Sequence, residues 1–283
     1  MPQSTLLVVI DPTSDNQTAL KRAEQLAVDT GARLHLFCCY QPEDIGDFHS
    51  RHDAKHTTLL ELRDKLEALA KPLREEGLAV SVEPYWNQNW QESVVHACGR
   101  NGAGMVIKSS YCHRGFLQHL RTRSDFTLIR KAPCATLLVK EDAPWTNQRI
   151  LAAVNIDTAD AEHDMLNNVI VTEAQRLANA TQSDLHLVAA MDHTANMADV
   201  LGLLEDEDQS RESAIAERFG VNLDRVHIRT GKATEAILEV TNDINADVLV
   251  LGTVARHGLQ GALIGNTAEK VIDQLDVDVL TVT

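Results

Sequence analysis

The chain has 283 residues, a formal net charge of −15 and a sequence isoelectric point near 5.2. This acidity argues against broad binding to nucleic acid or to anionic membranes. No apolar run approaches the roughly 18 residues that a membrane-spanning helix needs, and the first residues lack the basic and long apolar regions of a signal peptide. The five cysteines contain no C-x-x-C spacing, which favours reduced thiols and a cytoplasmic setting.

In chain order, the first half alternates short apolar runs with amphipathic stretches. The pattern predicts strands at residues 6–10, 34–37, 80–82, 105–108 and 136–139. Between them it predicts helices at residues 19–27, 59–73, 93–99 and 126–130, with residues 41–57 polar and 111–122 a loop. Strands that alternate with helices are typical of a parallel sheet with right-handed crossovers.

The second half repeats the pattern of the first. LHL occurs at 34–36 and again at 185–187, and AGMVIKSS at 103–110 corresponds to ADVLVLGT at 246–253. TLLV at 136–139 and VLTV at 279–282 keep the same offset of 143 residues. We therefore predict an internal duplication with domains at residues 1–142 and 149–283, joined by a polar linker that contains Pro144.

The stretch 246–282 carries the strongest functional pattern. An apolar strand is followed by four glycines, and a helix is expected from Asn266, with Asn266 as its N-cap and Glu269 completing a capping box. A glycine-rich loop that leads into a helix N-terminus is a common phosphate site, because free N–H groups and the helix dipole point to one place. Two alternatives stay open: the glycines serve only the turn, and Asn266 only caps its helix.

The same stretch resembles the C-terminal signature of the universal stress protein family, G-x2-G-x9-G-[ST]. On this chain the four positions are Gly252, Ala255, Gly265 and Asn266, so two of the four match, and Thr267 offers a hydroxyl one position later. The sequence GT-x-x-R-x-G followed by IGNTAE is most similar to the tandem-domain branch of that family. The resemblance implies two doubly wound, five-stranded parallel-sheet α/β domains of the adenine nucleotide alpha hydrolase-like fold. It also implies an intramolecular domain pair through the last strands, and a homodimer remains open.

The resemblance further implies a cytoplasmic stress-response protein whose second domain binds a phosphate-bearing ligand. ATP or another adenine nucleotide, with Mg²⁺ in that case, is the expected cofactor. In the first domain Asp11 matches the family's adenine-side aspartate, and Asn155 stands there in the second copy. The candidate binding residues are Gly252, Thr253, Ala255, Arg256, Gly258, Gly265, Asn266, Thr267, Asn155, Asp157 and Asp11.

The first copy lacks the glycines of the signature, although it keeps Gly115 at the position of Gly258. Its counterparts at the same offset are Ser109, Cys112, Thr122 and Arg123. Two interpretations stay open: a solvated loop that drifted after function was lost, or a different anionic ligand held by basic side chains. The basic side chains of this loop are Lys108, His113, Arg114, His119, Arg121 and Arg123.

No pattern predicts a catalytic or metal residue. His49, His52 and His56 follow helical spacing near Asp53, but they fit the polar start of a long helix better than a metal site. The acidic run 205–208 fits a solvated helix start or loop. Three other functions stay open: a ligand-free scaffold with protein partners, a binder of an acyl-bearing ligand along the apolar residues of 192–216, and a slow ATPase that uses Asp157.

Overall fold

Both halves of the chain alternate strands and helices in the order that the sequence predicts. The computed structural model describes residues 4–44, 46, 48–110, 118–156, 161–191, 205–253 and 265–282. The chain divides into unit 1, Met1–Pro144, and unit 2, Trp145–Thr283.

Unit 1 contains five parallel strands and four helices in its described residues. The strands are β1 (Thr5–Val9), β2 (Arg33–Cys39), β3 (Val80–Tyr85), β4 (Ala103–Ser109) and β5 (Ala135–Val139). The helices are α1 (Thr18–Thr30), α2 (Arg51–Glu75), α3 (Trp90–Asn101) and α4 (Gln118–Lys131). The strands lie in the order β3-β2-β1-β4-β5, with β3 at an edge as expected.

Unit 2 repeats this arrangement. Its strands are β6 (Arg149–Ala153), β7 (Asp184–Met191), β8 (Val226–Thr230), β9 (Val248–Gly252) and β10 (Asp278–Val282). Its helices are α5 (Ala161–Thr181), α6 (Glu205–Phe219), α7 (Ala233–Asp243) and α8 (Asn266–Gln274), with a 3₁₀ turn at Leu223–Arg225. The strands lie in the order β8-β7-β6-β9-β10 and are parallel, which matches unit 1 strand for strand and confirms the predicted fold.

The apolar runs of the sequence are the central strands of each sheet. Leu7, Val8 and Ile107 in unit 1 are fully or almost fully buried, and so are Leu151 and Val250 in unit 2. Strands that helices cover on both faces need such continuous apolar runs, because neither face meets water. This is why the sequence located β1, β4, β6 and β9 correctly.

Two helices, α2 and α4, begin about two turns earlier than the sequence predicts. Helix α2 begins at Arg51 rather than residue 59, because the Ser50 side chain accepts a hydrogen bond from the Asp53 N–H at 3.1 Å and so caps the helix. Its first two turns are polar because they are mostly exposed, with only Ala54 buried before Thr58. Helix α4 begins at Gln118, within the segment expected to be a loop.

The helix after the first strand differs in length between the units. Helix α5 has 21 residues, whereas α1 has 13. The longer helix places additional apolar residues near the end of β9. No helix in the described ranges combines the length and apolar content needed to cross a membrane.

Candidate functional site

The candidate site of unit 2 lies where its strand order reverses. Asn155 follows β6, Gly252 ends β9, and β6 and β9 are neighbours in the sheet. Open α/β sheets bind ligands at this point, in the crevice outside the carboxyl ends of the two strands. The chain returns from there to α8 through Gly265. The topology therefore gathers six predicted residues at one edge of unit 2: Asn155, Gly252, Thr253, Gly265, Asn266 and Thr267.

Four other predicted residues lie outside the described ranges: Ala255, Arg256, Gly258 and Asp157. Asp11, the last of the predicted set, occupies the equivalent place in unit 1, directly after β1.

Helix α8 begins with a glycine cap, not with the asparagine cap that the sequence predicts. Gly265 has an extended conformation, with φ −65° and ψ 150°, and its carbonyl accepts the first helical bond from the Glu269 N–H at 3.1 Å. Asn266 is therefore the first helical residue, and it lies exposed. The predicted N-cap residue is therefore wrong by one position, because glycine also suits an N-cap and needs no side chain there.

The cap residue itself contributes no side chain at the N-terminus of α8. A Cβ built on Gly265 meets no atom of the described residues within 4 Å. The first N–H groups of a helix lack helical partners, and the helix dipole makes this end positive. Gly265, Asn266 and Thr267 thus form a place where an anionic oxygen can approach the backbone.

Gly252 has a different physical reason to be a glycine. A Cβ built on it lies 2.7 Å from Ile170 Cδ1 and 2.8 Å from Leu166 Cγ and Cδ2. Both side chains belong to α5, and Ile170 is buried. The absence of a side chain at Gly252 lets the long helix α5 pack directly against the end of β9.

A buried amide fixes the backbone after the first strand of each unit. In unit 2, Asn167 Oδ1 accepts the Asn155 N–H at 2.9 Å, and Asn167 Nδ2 donates to the Asn155 carbonyl at 2.6 Å. In unit 1, Gln17 does the same for Asp11, at 3.1 and 2.8 Å. Sequence reasoning missed both amides because their spacing differs: the partner is six residues away in unit 1 and twelve in unit 2.

The carboxylate of Asp11 shapes its own loop. Its Oδ1 accepts hydrogen bonds from the Thr13 N–H at 2.8 Å and the Thr13 hydroxyl at 2.7 Å, which is an Asx turn. Lys65 of α2 secures the same loop by donating to the carbonyls of Pro12 and Ser14, at 2.9 and 3.2 Å. These contacts give Asp11 a structural task in unit 1.

Thr253 is likewise held by the sheet. It is buried, and both its N–H and its hydroxyl donate to the carbonyl of Val282, at 2.7 and 3.2 Å. The hydroxyl therefore secures the end of β9 to β10.

Unit 1 fills the equivalent edge with a network of side chains. Ser109, the counterpart of Gly252, accepts hydrogen bonds from the Thr18 hydroxyl at 2.7 Å and the Ala19 N–H at 3.0 Å, and so caps α1. Beside it, the Ser110 hydroxyl donates to Asp125 Oδ2 at 2.6 Å.

The Asp125 carboxylate completes this network with a lysine. Its Oδ1 lies 2.7 Å from Lys108 Nζ and, within the described residues, has no hydrogen bond besides this ion pair. The two side chains are 5% and 15% exposed, respectively. Lys108 is thus neutralised inside unit 1, and this disfavours an anion site built on that lysine. The side chains of His113, Arg114, His119, Arg121 and Arg123 lie outside the described part of the structure.

The described cysteines are free thiols. Cys38, at the carboxyl end of β2, has its pKa raised to about 12 by burial, so it stays protonated at neutral pH.

The histidines near Asp53 belong to a solvated helix start, because His52 and His56 lie on the exposed first turns of α2. Among the described residues, no group of three or more His, Cys, Asp or Glu side chains is placed to hold a metal ion.

Known proteins match this chain along its whole length. The model of the universal stress protein family matches residues 4–140 and 147–283. Universal stress protein E of Escherichia coli strain K12 is 29% identical over 294 residues, which cover 98% of this chain and 93% of that protein. The universal stress protein E homolog of Haemophilus influenzae is 29% identical over 309 residues, covering 99% and 97%. A functionally unknown protein from Pseudomonas aeruginosa PAO1 has a crystal structure that matches with a TM-score of 0.79 and 32% identity, covering 99% and 92%.

Proposed function

The chain belongs to the universal stress protein family, with two of its domains in tandem, and we propose that unit 2 binds the phosphate of an adenine nucleotide without turning it over. In this proposal the protein acts in the stress response by switching between a nucleotide-free and a nucleotide-bound form. The single observation that carries it is the glycine-capped N-terminus of α8, which coincides with the third position of the family signature.

The residues around that terminus fit a phosphate group. Gly265 has no side chain between solvent and the first-turn N–H groups, and the nearest described atoms leave room for a ligand oxygen. Asn266 is exposed and Thr267 is partly exposed, so an amide and a hydroxyl are available beside the backbone donors. Asn155, across the crevice at the end of β6, is the residue we assign to the adenine side. A nucleotide bound there would bring its own Mg²⁺.

Unit 1 supports a structural role in the same proposal. Its Ser109 caps α1, and Lys108 and Asp125 form an ion pair, where unit 2 has glycine and apolar residues. Asp11 organises its own turn. We therefore assign the nucleotide to unit 2 alone, with one ligand for each chain.

Equilibrium binding of ATP tests the proposal. We expect the wild-type chain to bind one ATP, and Gly265→Val to bind at least about tenfold more weakly, because a branched side chain at the cap blocks the approach to the N–H groups. Thr122→Val, at the corresponding position of unit 1, is the matched control and should leave binding unchanged. Absence of binding at millimolar ATP, or equal binding by Gly265→Val, would overturn the proposal.

A ligand-free scaffold is the second candidate function. The closed network of unit 1 favours it, since a unit whose crevice is filled by its own side chains needs no small molecule to be complete. It predicts that Gly265→Val retains full stress protection in cells, whereas the nucleotide proposal predicts that protection is lost.

A further inference from the structure

The two units place a histidine at the same point of the sheet but give it different partners. His35 in β2 and His186 in β7 are the central residues of the two LHL repeats. His35 Nε2 lies 2.9 Å from Glu83 Oε2 in β3. His186 Nδ1 lies 3.1 Å from His227 Nε2 in β8. The strand registers show that Glu83 and His227 are equivalent positions, so an acid in unit 1 stands where unit 2 has a second imidazole.

The His186–His227 contact is a hydrogen bond between two imidazole rings. The rings are nearly parallel, with an interplanar angle of 13° and centroids 5.4 Å apart. One ring nitrogen must donate its proton and the other must accept it. If both rings carry a second proton, two N–H groups and two positive charges face each other, and the hydrogen bond is lost. The contact therefore exists only while at least one ring stays neutral.

The surroundings of the pair also disfavour a positive charge. Asp184 is paired with Arg225 at 2.9 Å, and Asp243 lies 3.5 Å from Arg229, so arginines already neutralise these acids. The charged groups that act on the pair are Arg149 from β6, Asp184 from β7, Asp224 and Arg225 from the 3₁₀ turn, Arg229 from β8 and Asp243 from α7.

These conditions lower the pKa of both rings. Burial, His227 and Arg225 lower the pKa of His186 to about 4, against the opposing effect of Asp184. Burial and Arg229 lower the pKa of His227. An unfolded histidine titrates near pH 6.5, so the open state takes up protons first as the pH falls. The stability that depends on the neutral pair is complete above about pH 6.5 and is lost progressively as the pH falls from there towards 4.

Strand β8 is the edge strand of unit 2 and pairs with β7 alone in the described sheet of that unit, so a side-chain contact to β7 adds to the backbone ladder on one side only. We propose that the His186–His227 pair is a proton-sensitive clasp that releases the edge strand β8 from β7 in mildly acidic conditions. Unit 1 carries no such clasp. The proposal is independent of nucleotide binding, since the pair lies on β7 and β8, away from the β6–β9 crevice.

The equivalent site in unit 1 responds differently to acid. Burial alone would raise the pKa of Glu83, but hydrogen bonds from Arg100, His35 and Asn101 outweigh it and hold that pKa below its usual range. The carboxylate therefore persists in mild acid, and a proton added to His35 turns its contact with Glu83 into an ion pair. Strand β3 keeps its partner over the range in which β8 loses its own.

Hydrogen–deuterium exchange of the full chain between pH 7.5 and 4.5 tests the proposal, with rates corrected for intrinsic exchange. We expect protection of residues 226–230 to fall by up to about tenfold for each pH unit below 6.5, while residues 80–85 keep theirs. Parallel loss in both segments, or constant protection of 226–230, would overturn the proposal. An ordinary NMR titration of His186 near pH 6.5 would overturn it as well.

Exchanging the partners provides a matched pair of variants. His227→Glu copies the partner found in unit 1 and should remove the acid-dependent loss at β8. Glu83→His copies the pair of unit 2 and should give β3 an acid-dependent loss. His227→Gln, which keeps a hydrogen-bonding side chain but does not titrate, serves if the glutamate variant does not fold. Acid sensitivity of β8 that persists in His227→Gln would contradict the clasp.

Discussion

Units 1 and 2 share one strand order but carry different residues at the carboxyl ends of their equivalent strands. Unit 1 has polar side chains there: Ser109 caps α1, and Ser110, Asp125 and Lys108 satisfy one another. Unit 2 has glycine, threonine, alanine and leucine at the corresponding places, and the residue that caps α8 is a glycine without a side chain. The difference shows that a duplicated fold keeps its sheet while the loops at the strand ends acquire separate tasks.

The comparison also separates two glycines of one motif. Gly252 is required by the close approach of α5, whereas a Cβ on Gly265 would meet no atom of the described residues within 4 Å. The family signature treats the two glycines alike, so the structure adds information that the motif does not contain. Substitutions at the contrasting positions of the two units can break or sharpen this difference.

Removal of the buried acid in unit 1 should have the largest effect. Asp125→Ala leaves Lys108 almost buried without its carboxylate and removes the acceptor of Ser110, and breaking a buried ion pair in this way costs about 3 kcal/mol or more. Urea unfolding monitored separately in each unit by hydrogen exchange should show the loss in unit 1. The stability of unit 2, followed in the same experiment, is the control and should change little. A cost for Asp125→Ala below about 1 kcal/mol would mean that the network is not a stabilising feature.

Gly252→Ala should have the next largest effect. The added Cβ would lie less than 3 Å from Leu166 and Ile170, so these side chains or α5 itself must move, and such overpacking costs about 1–3 kcal/mol. Denaturant unfolding of unit 2 measures the loss. The double variant Gly252→Ala with Leu166→Ala should recover part of it, because the smaller side chain makes room. No recovery would show that contact with Leu166 is not the cause.

The sequence was sufficient for the sheet and for the place in it of several candidate residues, whose role in binding stays a prediction. Continuous apolar runs such as 248–251 identified the central strands, and the offset of 143 residues revealed the two units, because the duplicated segments preserve their loop lengths. The glycine at 265 pointed to α8. These features depend on local composition and spacing, which sequence reasoning can examine directly.

The remaining features depend on contacts between distant segments. The hydrogen bonds between the Asn167 amide and the Asn155 backbone have no counterpart at the same spacing in unit 1. The packing of Leu166 on Gly252 joins residues 86 positions apart. The helix cap shifted by one residue because Gly265 and Asn266 are both good N-cap residues, and local propensity alone does not choose between them.

Gly265→Ala should have the smallest effect on stability and thus completes the comparison of the two glycines. The backbone of Gly265, with φ −65°, suits alanine, and a Cβ there meets no described atom within 4 Å. Alanine is a poorer N-cap than glycine, but it lowers the entropy of the unfolded chain, so the two contributions should cancel to within about 0.5 kcal/mol. Denaturant unfolding beside Gly252→Ala measures the contrast. A loss at Gly265 as large as that at Gly252 would show that both glycines serve packing, and the open cap of α8 would then lose its importance for the proposed phosphate site.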